Sequence, residues 1–202
     1  MNLLRKIFSF PKEEQKRPTQ KNQDNKYIPK KVTPVDELFT LNFNKNGGKF
    51  LYSETIDEVF DFLKHIIDEN KWHNKSALVL NSDLKKQFKN FDWKTTNKLN
   101  KGHFLFTNCE YLIANDGSLL ISSNQIAEKK LTELPKSFIV FASTSQIVQT
   151  IGQGLRGIKA KNKEKIPSNI TTIKHFKTDN ENNFLSYGSS TKNLYLILLE
   201  DL

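Results

Sequence analysis

Two short stretches of this 202-residue chain gather the side chains with the most chemical capacity. The first is residues 109–123, CEYLIANDGSLLISS. In it Glu110 has the chemistry of an acid, base or nucleophile, and Cys109 that of a thiol. A short amphipathic piece bearing Tyr111, Leu112 and Ala114 is expected to lead into the turn Asn115-Asp116-Gly117-Ser118, whose glycine permits a positive φ. The apolar strand Leu119-Leu120-Ile121 follows and is closed by Ser122 and Ser123. In an α/β protein, ligands bind where strands finish, because loops and helix N-termini there offer unpaired N–H groups. Asn108, Asp116, Gly117, Ser118 and Ser122 are therefore ligand-binding candidates, with Glu110 the catalytic candidate. The second stretch, Ser143-Thr144-Ser145-Gln146, reads as the start of a helix carrying Ile147, Val148, Ile151, Leu155 and Ile158. Ser143, Ser145 and Gln146 then form a candidate anion site at that start.

Each stretch also has a plainer reading. A polar turn beside a buried strand is how a fold changes direction. A glutamate at a helix start complements the helix dipole, and a lone cysteine is most often a small buried hydrophobe. No histidine lies close in sequence to activate Cys109. Gly152-Gln153-Gly154-Leu155-Arg156-Gly157 spells a dinucleotide loop, but a helix starting at Ser143–Ser145 puts those glycines one to two turns inside it. They then point to different faces, and their N–H groups cannot converge on a phosphate.

Composition narrows the remaining classes. The single cysteine excludes an internal disulfide, and His65, His73, His103 and His175 share no metal-ligand spacing with one another or with Cys109. No metal or cofactor is expected in this chain. There is no apolar run long enough to span a bilayer, and the first ten residues, MNLLRKIFSF, lack a cleavage site, which points to the cytoplasm. Residues 2–9 can form a short amphipathic helix, so contact with a membrane is at most peripheral, through residues 1–10. The net charge is +9, but residues 1–33 hold nine Lys/Arg against three Asp/Glu, leaving 22 against 19 in the rest. A nearly neutral body makes no phosphate-binding stripe, which argues against nucleic acid as a partner.

The elements that must position these residues follow from hydrophobic periodicity. Residues 1–32 form a basic tail whose run 11–31 has almost nothing to bury and reads as disordered. From residue 33 helices and strands alternate. A helix capped by Thr33 with Pro34 at its first position runs to Gly47-Gly48, and a strand covers 49–53. A helix over 56–67 opens with Thr55 and Glu58 as a capping box. Strand 76–81, a helix capped by Ser82 or Asp83, a surface loop over 90–101 anchored by Trp93, and strand 103–107 come next. Strand 137–142 and residues 170–173 follow, then a polar loop over 174–193. The last element, residues 194–199 (LYLILL), is a continuous apolar run of the kind buried on both faces. This alternation predicts an α/β domain over 33–202, an open, mainly parallel sheet with helices on both faces.

Several ordered blocks also carry a family likeness. Asn46–Tyr52 (NGGKFLY), Thr107–Ala114 (TNCEYLIA), Gly117-Ser118, Ile121–Ser123 and Thr144–Val148 (TSQIV) resemble the lactate-utilisation (LUD) domain family, in its YkgG-type or C-type subunit group. The likeness runs from about residue 33 to the end. It implies a fold like that of sugar-phosphate isomerases and CoA transferases. It also implies a role in oxidising L-lactate to pyruvate, with a small anionic metabolite as ligand and iron–sulfur clusters only in separate iron–sulfur and oxidase-like partner subunits. Family members typically carry a Gly-Pro-Ser-Arg-Thr-Ala-Asp run and a later His-Gly-Pro turn. Here the first reads Ile173–Asp179 (IKHFKTD) and the second Gly188-Ser189-Ser190-Thr191. Asp179 is kept, Lys177 replaces a forked arginine with a point charge, and Gly188 marks the later turn. Those departures imply the alternative of a non-catalytic binding or scaffold member.

Overall fold

The run at residues 194–199 is the strand that both cores share. In the computed structural model, which describes residues 33–176 and 193–201, it forms β10 (Asn193–Leu199), paired in parallel with β1 (Lys49–Ser53) on one side and β7 (Ser137–Ser143) on the other. Side chains alternate along a strand. Leu194, Leu196 and Leu198 accordingly enter one core, and Tyr195 and Ile197 the other. The neighbouring β7 divides in the same way, with Phe138, Val140 and Ala142 on one side and Ile139 and Phe141 on the other. Strands buried on both faces lose their polar alternation, which is why they read as unbroken apolar runs.

The main sheet has six parallel strands in the order β1-β10-β7-β4-β2-β3, with β2 at Ser76–Leu78, β3 at Lys94–Thr96 and β4 at Phe104–Asn108. One face is covered by α2 (Ile56–Glu69), through Val59, Leu63 and Ile66, and by α3 (Ser82–Gln87), through Leu84 and by way of Phe88 at its end. Trp72 stacks on Phe104 beneath them, with ring centroids 4.3 Å apart. The other face is covered by α1 (Val35–Lys45), through Phe39 and Phe43, and by a second sheet. That sheet has the order β8-β5-β6-β9, built from β5 (Tyr111–Ile113), β6 (Ser118–Ile121), β8 (Ile147–Val148) and β9 (Thr171–Ile173). A single turn, α4 (Ser123–Ile126), follows β6, and α5 (Ile151–Lys161) closes the outer side of the small sheet by burying Ile158 against Tyr111, Ile113 and Leu120.

The α/β class and parallel sheet are as expected, and five local readings need correction. The piece after Glu110 is β5, not a helix. Its three residues are all buried and pair antiparallel with β6 as a hairpin. The helix expected from Ser143–Ser145 is a single 3-10 turn at Thr144–Gln146, followed by β8, and the true helix α5 starts at Ile151 under a capping box of Thr150 and Gln153. The 90–101 segment contains the edge strand β3, too short and polar to show a period. Two helix starts shift as well. Pro34 takes the cap position of α1 without a side-chain bond, and Asn81 caps α3 by accepting from the N–H groups of Asp83 and Leu84. At α2 Thr55 does accept from the Glu58 N–H, while the Glu58 carboxylate reaches the N–H of Glu54.

The corrected start of α5 puts Gly152, Gly154 and Gly157 in its first two turns rather than deep inside a helix. Two of them serve packing. A Cβ at Gly154 would lie 3.0 Å from Leu120, and one at Gly157 would run into the Tyr111 ring. Those glycines let α5 lie close on β5 and β6, which offsets their cost of about 1 kcal/mol each in helix propensity.

The β5–β6 turn is fastened to α1. Asn42 donates to the carbonyls of Ala114 (2.8 Å) and Asn115 (3.2 Å), and Asn46 donates to that of Asp116 (2.7 Å). Gly117 has φ +67°, and a Cβ there would overlap the Asn42–Phe43 peptide. Gly117→Ala is therefore expected to lower stability by about 2–5 kcal/mol, combining left-handed strain with backbone overlap. Urea unfolding measures this, and a loss below about 1 kcal/mol would show that the turn is not held against α1.

Candidate active-site crevice

An open parallel sheet binds ligands at the carboxyl ends of its strands, at the place where successive connections leave toward opposite faces. That place lies between β2 and β4 in this chain. After β2 the chain turns to α3 on one face, and after β4 it enters the β5–β6 hairpin on the other. The two departures leave a crevice edged by Asn81 on the β2 side and by Asn108 and Glu110 on the β4 side. Asn81 crosses it, donating from Nδ2 to the carbonyl of Asn124 at 3.2 Å.

Glu110 is held here by its neighbours. It is 8% exposed, and its Oε1 accepts from Ser122 Oγ at 2.6 Å and Asn124 Nδ2 at 2.9 Å. Among the described residues no donor reaches Oε2. Ser122 sits at the cap of α4 because its N–H donates to Gln125 Oε1 and its Oγ accepts from the Asn124 N–H. Its one hydroxyl proton can go to Glu110 or, at 3.1 Å, to Gln125, and the charge-assisted and shorter bond to Glu110 is the stronger. Gln146 then ties the crevice to the end of β7. Its Nε2 donates to the carbonyls of Cys109 (2.6 Å) and Glu110 (3.2 Å) while its Oε1 accepts from the Ser143 N–H (2.8 Å). Asn108 contributes an Oδ1 that is buried and has no partner, alone in this among buried side-chain nitrogen and oxygen atoms of the described residues. A buried acceptor left open costs about 1–3 kcal/mol, so each one calls for an explanation, and a bound group that donates to it is one.

The structure thus brings Glu110, Ser122 and Gln146 together, with Asn108 at the end of β4 two residues before Glu110, and separates the other candidates from them. Asp116 and Ser118 satisfy each other, the Asp116 carboxylate accepting from the Ser118 N–H (3.1 Å) and hydroxyl (2.7 Å), with Lys174 3.9 Å away. With Gly117 they lie at the far end of the hairpin, three strand residues or roughly 10 Å from Glu110. The turn therefore sits at the other end of β5 from the Ser143–Gln146 turn, whose Gln146 bonds the carbonyls of Cys109 and Glu110. Ser143 and Ser145 are spent in another way. Asp201 places its carboxylate on that turn, accepting from the Ser145 N–H (2.8 Å), Ser145 Oγ (2.7 Å) and Thr144 Oγ1 (2.9 Å). The chain's own carboxylate occupies the expected anion site. Lys177, Asp179 and Gly188 lie outside the described residues, as does the 1–32 tail.

Cys109 does not behave as an activated thiol. It is 3% exposed, and burial first, then the Glu110 charge, push its pKa well above the ordinary thiol value, with Lys161 opposing only in part. No group of three or more His, Cys, Asp or Glu among the described residues is placed to hold a metal ion. Asn81, Asn124 and Gln125 carry only weak local signals: Ser122 and Gln125 have capping-box spacing, and Asn81 immediately precedes the Ser-Asp of a helix start. Asp201 carries no local signal.

Two outcomes follow. Ser122→Ala is expected to cost about 1–3 kcal/mol in urea unfolding, because it removes a helix cap and leaves Glu110 short of a donor; an unchanged midpoint would mean that the bond contributes nothing. For Asp201, burial pulls the carboxyl up, but the bonds from Ser145, Thr144 and Ser143 together hold it below its ordinary value. Its contribution to stability is therefore fully present above the unfolded aspartate pKa of about 3.9 and disappears as pH falls through the lower folded value. Asp201→Asn should show a smaller fall in Tm than wild type between pH 6 and about pH 3; identical falls would show that the Asp201 carboxylate adds no stability.

Comparison with known proteins accords with this architecture. A crystal structure of a DUF162 family protein from Deinococcus radiodurans superposes with a TM-score of 0.57 over 83% of this chain and 96% of that one, at 13% identity, a likeness of fold. No curated protein sequence matches the chain. The LUD domain model matches residues 37–199, from α1 through β10 and including every described residue of the crevice. A match of that extent, on a chain with this six-strand parallel sheet, makes the protein a member of the LUD domain family and so a lactate-utilisation-related protein.

Proposed function

We propose that this LUD-domain chain serves lactate utilisation by holding a small hydroxylated organic acid, with L-lactate as the type, in the crevice between the carboxyl ends of β2 and β4. The observation that carries this reading is the Glu110 carboxylate with one oxygen still open, two residues along the chain from Asn108, whose buried Oδ1 has no partner. Both are acceptors, so they suit a ligand that brings a hydroxyl proton. Glu110 and Asn108 would take the hydroxyl of a 2-hydroxy acid, while its carboxylate points away from Glu110, because two like charges side by side are unfavourable. Glu110, already oriented by Ser122 and Asn124, is the group in reach of that hydroxyl proton. Oxidation of the acid requires an electron acceptor, which this reading assigns to iron–sulfur and oxidase-like partner subunits. Lys177, Asp179 and Gly188, which lie outside the described residues, belong to the same reading as candidate ligand-binding residues.

A second reading keeps the fold and drops the chemistry. It is favoured by the Asp201 carboxylate lying on the Ser143–Ser145 turn and by the replacement of the family arginine with Lys177. In it the chain is a binding or scaffold member.

Thermal shift separates the two. At ten times its Kd, L-lactate should raise the Tm by about 3–6 °C, and pyruvate, which lacks the hydroxyl, should raise it less at the same concentration. Asn108→Ala and Glu110→Gln should each remove most of the shift while leaving the ligand-free Tm within a few degrees. No shift from millimolar lactate, pyruvate, a CoA ester or a sugar phosphate would select the scaffold reading.

A further inference from the structure

On the face of the main sheet opposite the hairpin, the chain encloses a half-open pocket of about 170 Å³ that the lactate reading does not use. Its walls are aromatic. Phe88 and Phe106 are fully buried at its base, and Phe91 and Trp93 are half-buried at its side. These rings brace one another. Trp93 meets Phe106 edge-on at 4.7 Å and Phe91 at 4.9 Å, Phe88 meets Phe106 edge-on at 4.9 Å, and Phe91 stacks on Phe60 at 5.9 Å from behind. A wall fixed in this way cannot collapse into the space it surrounds, so the volume is available to a guest.

The rim carries the opposite chemistry. Lys85, on the last turn of α3, and Lys89, four residues later and just past its end, both line the pocket and are exposed. Between them in sequence, Lys86 is neutralised by Asp83 at 3.3 Å. Among the described residues no carboxylate pairs with Lys85 or Lys89, and Asp92, between two wall residues, does not line the pocket. Complementing the negative end of α3 would require only one of these charges. Two unpaired ammonium groups over a braced aromatic box select a guest with one flat apolar end and one negative end. The volume sets its size, since a cavity of about 150 Å³ holds a single benzene ring.

We infer that this pocket is a binding site for a single-ring aromatic monocarboxylate, the ring packing against Phe91 and Trp93 over the base closed by Phe88 and Phe106, and the carboxylate bonding Lys85 and Lys89. Larger two-ring acids exceed the volume, and acetate or lactate leave the box empty. The site lies on the other side of the sheet from Glu110 and is independent of the crevice.

Trp93 makes the test direct, because the only other tryptophan, Trp72, is stacked on Phe104 and does not line the pocket. The full chain is titrated with benzoate and with benzyl alcohol, its neutral analogue, following tryptophan emission and, as a second readout, saturation-transfer NMR of the added compound. Benzoate is expected to bind saturably, with Trp93→Phe abolishing the emission change but not the NMR signal. Benzyl alcohol and the double variant Lys85→Ala/Lys89→Ala should each weaken binding at least tenfold. Both lysines are exposed, so an unchanged Tm for the double variant assigns that loss to the charges. Absence of saturable benzoate binding by both readouts, equal binding of benzyl alcohol, or undiminished binding to the double variant would overturn the inference.

Discussion

Everything in this molecule follows from a parallel sheet that has to be covered on both faces. β4, β7 and β10 present apolar side chains in both directions, and no polar face remains for water. Parallel strands also forbid tight hairpins between neighbours in the sheet, so each connection must cross over one face or the other. The early connections, with α2 and α3, go to one side. The later ones, with the hairpin sheet, α4 and α5, go to the other. The crevice between β2 and β4 is the geometric remainder of that division.

The division also decides which polar residues are free. In a small α/β fold most side-chain donors and acceptors are consumed in closing turns and capping short helices. Asp116 and Ser118 build the hairpin turn, Ser143–Ser145 receive Asp201, and Gln146 clamps the end of β7 to the β4–β5 link. Ser122 both caps α4 and orients Glu110, so structure and site overlap in a single hydroxyl. Asn108 differs because its carboxamide oxygen is buried with nothing to bond. That deficit is a better mark of a ligand site than the presence of any one polar residue type.

A second sheet replaces the helix that an α/β pattern would place beyond Glu110, and the reason is local. Tyr111, Leu112 and Ile113 are buried on both sides, by α5 outside and by the main core inside, so the three-residue run has no polar face by which a period could be read. The same geometry explains Gly154 and Gly157, whose missing side chains let α5 approach the Tyr111 ring.

What the sequence alone determined is what depends on neighbours a few residues away or on burial that strips polarity from a whole run. Residues 56–67 announce a helix by their stripe, residues 194–199 a strand covered on both faces, and the ordered blocks from Asn46 to Val148 the family. The tertiary structure decided which of the many Asn, Ser, Asp and Gln side chains remain unspent. Asn108 and Ser118 look equally available in sequence, yet one is left with an open acceptor and the other is bonded within its own turn. A hydrogen bond between Asp201 and Ser145 joins residues 56 positions apart, and no local pattern encodes such a pairing. It exists only because β10 and β7 lie side by side in register, a consequence of closing the sheet as a whole.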